Sequence, residues 1–400
     1  MNKKISAAVA SAALVLGASS ANAGIIIPAG EWTIDINGNV NAYAIMQTHD
    51  DTTAMTVTGG LAGAEDANGE DTNQGINTGL LPAWLGFTGT TRQNDLDVSW
   101  TISMQPAVSD NISSGDQTRP LWRQAFLTFG DKSWGQVKLG KDLGIFAGNA
   151  ILNDMTLLGV GAGGGSGGNT TLGGIGSGYI YPAWKGQFTY TTPNFNGFTA
   201  KLGITNPNQV IDEDQTGTVG GVGPSVYQDR YGVEGQLEYA FDAGKVWSSF
   251  ASYKVTPDST ALRDSDATAL DVGAAINFGN IGLVAYYYTG EGVGATSFGS
   301  LGVDTAGNER DSDGGYIQAT YVIPSGTKLG VAYGVSSLDE AAGESNASLL
   351  DKNSRWTVGA YHPLTKHLNL VAEYNNVQSE AQGGEERETD SLSLGAILFF

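Results

Sequence analysis

Apolar and polar residues alternate along nearly all of the chain beyond residue 23, and helical spacing is almost absent. From Leu96 the positions Leu96, Val98, Trp100, Ile102 and Met104 are apolar, with Asp97, Ser99, Thr101 and Ser103 between them. Tyr231, Val233, Leu237, Tyr239 and Phe241 alternate with Glu234, Gln236 and Glu238. Leu270, Val272, Ala274, Ile276 and Phe278 interleave with Asp271 and Asn277, and the chain closes on Leu392, Leu394, Ala396, Leu398 and Phe400. Successive side chains of a strand point to opposite faces, so a period of two predicts strands with one apolar and one polar side.

Breaks between these segments alternate in length. Short turns are predicted at Arg92–Asp95, Asp131–Gly135, Pro193–Gly197, Asp242–Gly244, Gly279-Asn280, Pro324–Gly326 and Pro363–Lys366. Longer polar stretches fall near 48–79, 108–120, 206–229, 256–267, 289–314, 337–353 and 378–390. The breaks delimit about sixteen strands. Such a count, with short turns at one end and long loops at the other, predicts an all-β, antiparallel transmembrane barrel. A soluble sandwich or propeller is the competing architecture. No blade-length repeat is present. Trp32, Trp122, Trp134, Trp184, Trp247 and Trp356 sit near strand ends, as interfacial girdles require. In lipid the apolar set faces outward and the polar set inward. At about sixteen strands the interior is too wide to fill with side chains, so it holds water, and a wet hole across a membrane is a conduit.

The N-terminus fits this destination. Lys3 and Lys4 precede an apolar run from Ile5 to Gly17, then Ala21-Asn22-Ala23 supplies a small-residue cleavage pattern. The expected division is a leader over 1–23, cut after Ala23, and a barrel over 24–400. No later apolar run reaches the length of a membrane helix, which says nothing against strands. The 400 residues include 58 Gly, 16 Tyr, 13 Phe and 8 Trp but no Cys, which removes disulfides and thiolate chemistry. A formal charge of −21 argues against a nucleic-acid partner, whose binding rests on Lys and Arg.

Catalytic and cofactor motifs lack their contexts. Gly163–Gly168 matches a dinucleotide fingerprint, and Gly164 to Gly168 matches a nucleophile elbow around Ser166, without the strand and helix either needs. The histidines are His49, His362 and His367, and none is evidently paired with a serine and an orienting acid. The string Asp311-Ser312-Asp313-Gly314 is a calcium-loop fragment without its distant Glu. The expectation is no enzyme, no cofactor and no metal. Acids cluster in the long stretches: Asp50, Asp51, Glu65, Asp66, Glu70 and Asp71, then Asp212, Glu213 and Asp214, then Glu380 through Asp390. They are solvated loops or divalent-cation bridges to lipopolysaccharide.

One segment, about Ile145 to Gly178, is longer than ordinary loops and pairs an apolar stretch, Ile151–Val160, with a glycine run. It is the third long loop, and its exposed Leu157-Leu158 pair favours an inward fold into the lumen. Trp122-Arg123-Gln124-Ala125-Phe126, a short turn, then Gly135-Gln136-Val137-Lys138-Leu139-Gly140-Lys141 resembles the fourth and fifth strands of the Gram-negative general porins. The terminal Phe400, with Leu398 two positions before it, is similar to that family's signal for barrel-assembly machinery. The resemblance covers essentially the whole chain after residue 23. It implies a homotrimer of sixteen-stranded barrels in the outer membrane, passing ions and small hydrophilic solutes. It also implies a constriction between basic wall residues and acids on loop three.

Carried over, Arg123 and Lys138 stand on the basic wall. Alternation agrees for Lys138, between outward Val137 and Leu139, but places Arg123 on the opposite face unless a bulge resets the parity. Lys185 and Lys201 face inward by alternation alone. The departure is loop three, which offers Asp154 and no other acid, where the family carries an acidic segment. Acidic loops favour cations and inward lysines anions; the expectation is a weak cation preference at low salt, where screening is least. The alternatives are a channel preferring a sugar, organic acid or phosphate, lined by Tyr43, Tyr179, Tyr181 and Tyr361, and, behind it, an outer-membrane barrel enzyme.

Overall fold

The computed structural model describes residues 24–50, 57–66, 68–108, 121–163, 170–206, 226–227, 230–257, 264–304 and 306–400. The expected leader with Ala23, both glycine-run matches with Ser166, and Asp51, Asp212, Glu213 and Asp214 lie outside these residues.

In chain order the strands are β1 (Ile25–Ala29), β2 (Trp32–His49), β3 (Thr72–Asn77), β4 (Trp84–Gln93), β5 (Leu96–Gln105), β6 (Leu121–Asp131), β7 (Gly135–Leu143), β8 (Trp184–Thr191), β9 (Phe198–Thr205) and β10 (Val226–Tyr227). There follow β11 (Gly232–Phe241), β12 (Gly244–Pro257), β13 (Ser265–Phe278), β14 (Ile281–Glu291), β15 (Asp311–Val322), β16 (Lys328–Leu338), β17 (Leu350–Pro363), β18 (Leu368–Ala381) and β19 (Glu386–Phe399). Sixteen of them form one closed antiparallel ring; β1, β3 and β10 are short additions to β2 and β12. Closure is made where β19 pairs with β2, from Phe399 opposite Asn39 to Thr389 opposite His49. Phe400 and Gly38 then exchange two backbone bonds at 2.9 and 3.0 Å. A Cβ at Gly38 would meet the Phe400 ring at 2.7 Å, so only glycine lets that ring lie over the seam.

The distribution of side chains inverts that of a soluble protein. Val40, Leu270, Ile317 and Leu394 are exposed, Ile317 by 63%, while Ser336, Thr357, Asn375 and Ser393 on the opposite phase are fully buried. In water each exposed side chain would cost roughly 25 cal/mol per Å² of apolar surface; against lipid the same surface is at home. Inner polar groups bond across strands: Ser99 to Thr128 at 2.6 Å, Thr88 to Thr101 at 3.0 Å and Ser379 to Asn353 at 2.6 Å. Such pairing avoids the penalty of buried unsatisfied groups.

The short turns fall where the breaks predict. Asn94 and Asp95 both take positive φ, 48° and 62°, the two-residue geometry that matches strand twist. Two expectations need correction. Residues 378–390 are not a long loop, because β18 and β19 run on through them, Glu380 opposite Glu386, leaving 382–385 as the connection. Above a membrane both faces of a hairpin are wet, so its composition reads as loop. Trp247 is no girdle residue: β12 turns Val246 and Phe250 outward and buries Trp247 on the inner side, 5.5 Å from Lys245 Nζ. Trp122, Trp134 and Trp356 are exposed on the outside.

Ile317→Arg on the outer face is expected to destabilise the barrel by about 2–4 kcal/mol if it lies at mid-bilayer, whereas Thr199→Arg on the wet face leaves stability near that of the parent. Urea unfolding in lipid bilayers, followed by tryptophan fluorescence, measures both.

Candidate functional site

Between β7 and β8 the chain leaves the wall for residues 144–183, carrying helix α1 (Gly148–Asn153) and a 3-10 turn, Met155–Leu158. The helix begins after Ala147, at φ 57° and without a side-chain cap, and the three amides before it turn to the wall. The inner face of the wall supplies acceptors for them and for later amides of the segment. Glu234 on β11 accepts from the amides of Ile145 at 2.6 Å and Phe146 at 3.2 Å, and Asp271 on β13 from Ala147 at 3.2 Å. Gln318 on β15 accepts from Met155 at 2.7 Å, and Glu373 on β18 from Val160 at 2.8 Å and Gly161 at 2.9 Å. In return, Tyr316 and Tyr43 donate their hydroxyls to the carbonyls of Ala150 and Leu158, at 2.8 and 2.7 Å. Hydrogen bonds to a charged acceptor each contribute about 1.5–3 kcal/mol, so the segment is firmly tied along the wall from β11 to β18.

That arrangement changes the roles of two expected pore residues. Asp154 does not present its charge to a lumen. It is buried, accepts from Tyr179 Oη at 2.8 Å and from the amides of Gly174 and Thr156 at 2.9 Å, and stands 3.9 Å from the Arg355 guanidinium. Lys185 is equally enclosed, only 1% exposed, donating to Glu234 at 2.6 Å and to Tyr253 Oη at 2.9 Å beneath the ring of Phe298. Both are structural ties. The reason is the segment itself, which covers the wall where Lys185 emerges and encloses its own Asp154.

The other three expected residues stay on the uncovered wall. Lys138 pairs with Asp142 on its own strand and lies 5.0 Å from the centre of the Phe126 ring. Lys201 is within electrostatic reach of Lys138, Lys245, Glu238 and Asp142. At Arg123, β6 is bulged: Ser103 faces Gln124 and Gln105 faces Leu121, three steps on one strand against two on the other. The extra residue leaves Trp122 exposed, and the Arg123 amide donates to Gln105 Oε1 at 3.0 Å. Sequence reasoning passed over Lys245, which donates to Asn149 on α1 at 2.8 Å and to Glu238 at 3.4 Å. It also passed over Glu373, Asp271 and Glu234 as anchors. Their signal was present in the polar phase of the alternation, but that phase does not tell which polar residues a loop will cover. Tyr43, Tyr179 and Tyr361 are likewise buried, with Tyr361 donating to Glu373 at 2.6 Å.

Further loops turn toward this packing. Phe298, between β14 and β15, stacks edge-on against Phe146 at 6.0 Å and Tyr253 at 4.5 Å, and the Tyr181 amide donates to the Thr296 carbonyl at 2.8 Å. The same loop is tied to its neighbour by Arg310, which donates to Glu344 at 2.8 and 2.5 Å. Among the described residues no three His, Asp or Glu side chains are grouped to hold a metal ion. His49 and His362 each meet a threonine hydroxyl, of Thr389 and Thr327, at 2.9 Å.

The residues and their geometry have clear relatives. A family model described as Gram-negative porin matches residues 10–382. The outer membrane channel DcaP of Acinetobacter baumannii superposes with a TM-score of 0.70 at 16% identity, over 94% of this chain and 100% of that one. The anion-selective porin from Comamonas acidovorans gives 0.64 at 17%, over 92% and 100%. The trimer form of OmpT, an outer membrane protein of Vibrio cholerae, gives 0.55 at 16%, over 92% and 99%. No curated protein matches the chain.

Glu234→Gln leaves the buried Lys185 ammonium without its counter-charge and is expected to cost about 3–5 kcal/mol, read by urea unfolding. The Arg310 hydrogen bonds hold Glu344 below the usual glutamate range. A depressed folded-state value means the tie contributes fully above the ordinary glutamate range and is lost as pH falls through the lowered value. Proteolysis between Leu301 and Glu344 should therefore accelerate in acid in the parent, and much less in Glu344→Gln.

Proposed function

This chain belongs to the Gram-negative porins, outer-membrane channels for passive diffusion of ions and small hydrophilic solutes, and we propose that a basic strip on the uncovered wall sets its ion preference. The strip is Arg123, Lys138, Lys201 and Lys245, opposed by residues 144–183. The single observation that carries this reading is the fate of the acids. Glu234, Asp271 and Glu373 accept backbone amides of that segment, and Asp154 is enclosed within it. On the open side, Lys138 and Lys245 lie within electrostatic reach of Lys201, together with the acids Glu238 and Asp142. The segment's half-buried positions Leu152, Asn153 and Leu158 carry no charge. The bore then runs between an uncharged rim and a net positive wall, and its narrowest point lies beside α1.

The expected magnitude is modest. One excess charge about 8 Å from a permeating ion contributes about 0.5 kcal/mol at the dielectric of water, a roughly two- to threefold bias for anions. Acids on the outer loops act from farther away, and salt screens them first, because the Debye length shrinks to about 10 Å at 0.1 M. Cation enrichment at the mouth therefore fades with rising salt while the anion bias at the strip persists. The anion-selective porin from Comamonas acidovorans shares this fold and supports the direction.

The same reading takes residues 1–23 as a cleaved leader, residues 24–400 as one barrel, and the working form as a homotrimer, supported by the trimer form of the Vibrio cholerae relative. Leu398, exposed beside Leu392 and Leu394, and Phe400 at the seam form the strand offered to the assembly machinery. Lipopolysaccharide surrounds the outer rim. Transport proceeds without a chemical step, so no catalytic group is assigned.

Reversal potentials in planar bilayers under a salt gradient test the proposal. The parent should favour chloride at about 0.1 M salt, and Lys201→Glu should remove or reverse that preference while the conductance steps persist. An unchanged reversal potential in Lys201→Glu would transfer selection to the loops.

A further inference from the structure

The first long loop also enters the interior. After β2 the chain returns at Val57, and Thr58 forms a parallel bridge with Leu349: its amide donates to the Ser348 carbonyl at 2.7 Å, and its carbonyl accepts from Leu350 at 3.0 Å. The amides of Leu61, Ala62 and Gly63 are received in order by inner-face side chains of three successive strands. Leu61 N donates to Asn353 Oδ1 at 3.1 Å and to Ser379 Oγ at 2.9 Å, Ala62 N to Ser379 Oγ at 2.9 Å, and Gly63 N to Thr389 Oγ1 at 2.8 Å. Asn353 also donates back to the Gly59 carbonyl at 3.2 Å. Asn353 and Ser379 are fully buried and Thr389 is 3% exposed, so the cradle has no water-facing alternative for these groups. Glycine is required: a Cβ at Gly63 would meet the His49 ring at 2.4 Å, and Gly59 holds φ +94°. The apolar side chains of this loop complete the fit. Ala62 packs with Val377 and with Ala162 on the segment between β7 and β8, while Leu61 and Leu172 flank the cluster.

We propose that residues 57–66 form a second lumenal wall, which narrows the vestibule over β17 to β19 and braces the constricting segment at Ala162 and Leu172. The two loops then act as one frame, and the size limit for neutral solutes depends on both. A loop resting outside the bore would have its amides bonded to water. Here each goes to a buried side chain of the inner phase, and the contact with Ala162 links the first loop to the third. The positioning residues are Asn353, Ser379 and Thr389, and none belongs to the basic strip.

This inference rests on the channel reading, and the tests separate the two. Conductance of the parent protein tests the channel by itself; only the ratio of large to small sugar uptake tests the second wall. In liposome swelling, Asn353→Ala/Ser379→Ala should raise the uptake of tri- and tetrasaccharides relative to arabinose several-fold, with the reversal potential unchanged. The second experiment uses the absence of cysteine from this chain. An Ala62→Cys/Val377→Cys pair should oxidise readily and leave conductance and sugar ratio at parental values, since the link fixes the loop where it already lies. An unchanged sugar ratio in the folded double-alanine variant overturns the proposal. So does a cysteine pair that fails to oxidise, or one whose closure lowers conductance. Should the alanine variant fail to fold, the cysteine pair decides alone.

Discussion

The absence of water in the hydrocarbon core governs everything else in this molecule. A backbone amide or carbonyl left unbonded there costs several kcal/mol, so a strand can cross only if it is paired on both sides. The ring from β2 through β19 and back satisfies that condition, with β19 set against β2 and Phe400 against Gly38 at the last step. Once the ring must close, the two phases of each strand are committed. Apolar residues such as Leu270 and Ile317 face lipid, and polar ones such as Asn375 and Ser393 face inward.

A closed ring of sixteen strands leaves a wide interior, and two loops of the chain bond to side chains of its inner phase. Loop backbone in a confined space brings its own unpaired amides, and the inner wall answers with acceptors: Glu234, Asp271, Gln318 and Glu373 for one segment, Asn353, Ser379 and Thr389 for another. The family resemblance implies acids on the loop facing bases on the wall. In this chain the acids that matter sit on the wall and serve as hydrogen-bond acceptors for the loop, with Lys185 neutralising one of them. The same bonds that fix the segment engage the carboxylates of Glu234, Asp271 and Glu373. On the proposed basis of ion preference, anchoring and selectivity are two consequences of one set of bonds.

Much of the architecture was legible in the alternation. A strict period of two, interrupted by alternately short and long breaks, determines strand count, antiparallel order, the lipid-facing set and the inward phase of Lys138 and Lys201, because each follows from local backbone geometry and a single burial rule. The length of residues 145–178, with one apolar stretch and one glycine run, likewise marked the segment between β7 and β8. Where local rules failed, the cause lay in strand pairing and phase that composition does not show: Trp247 follows the phase of β12, and residues 378–390 are two wet strands that read as loop. Only the tertiary structure decided that Lys185 and Asp154 are enclosed and that Lys245 bonds to Asn149 of α1. Alternation assigns a side chain to a face, but which part of that face a returning loop covers depends on bonds between residues more than 200 positions apart, such as Val160 and Glu373, and no periodicity along the chain encodes such a pairing.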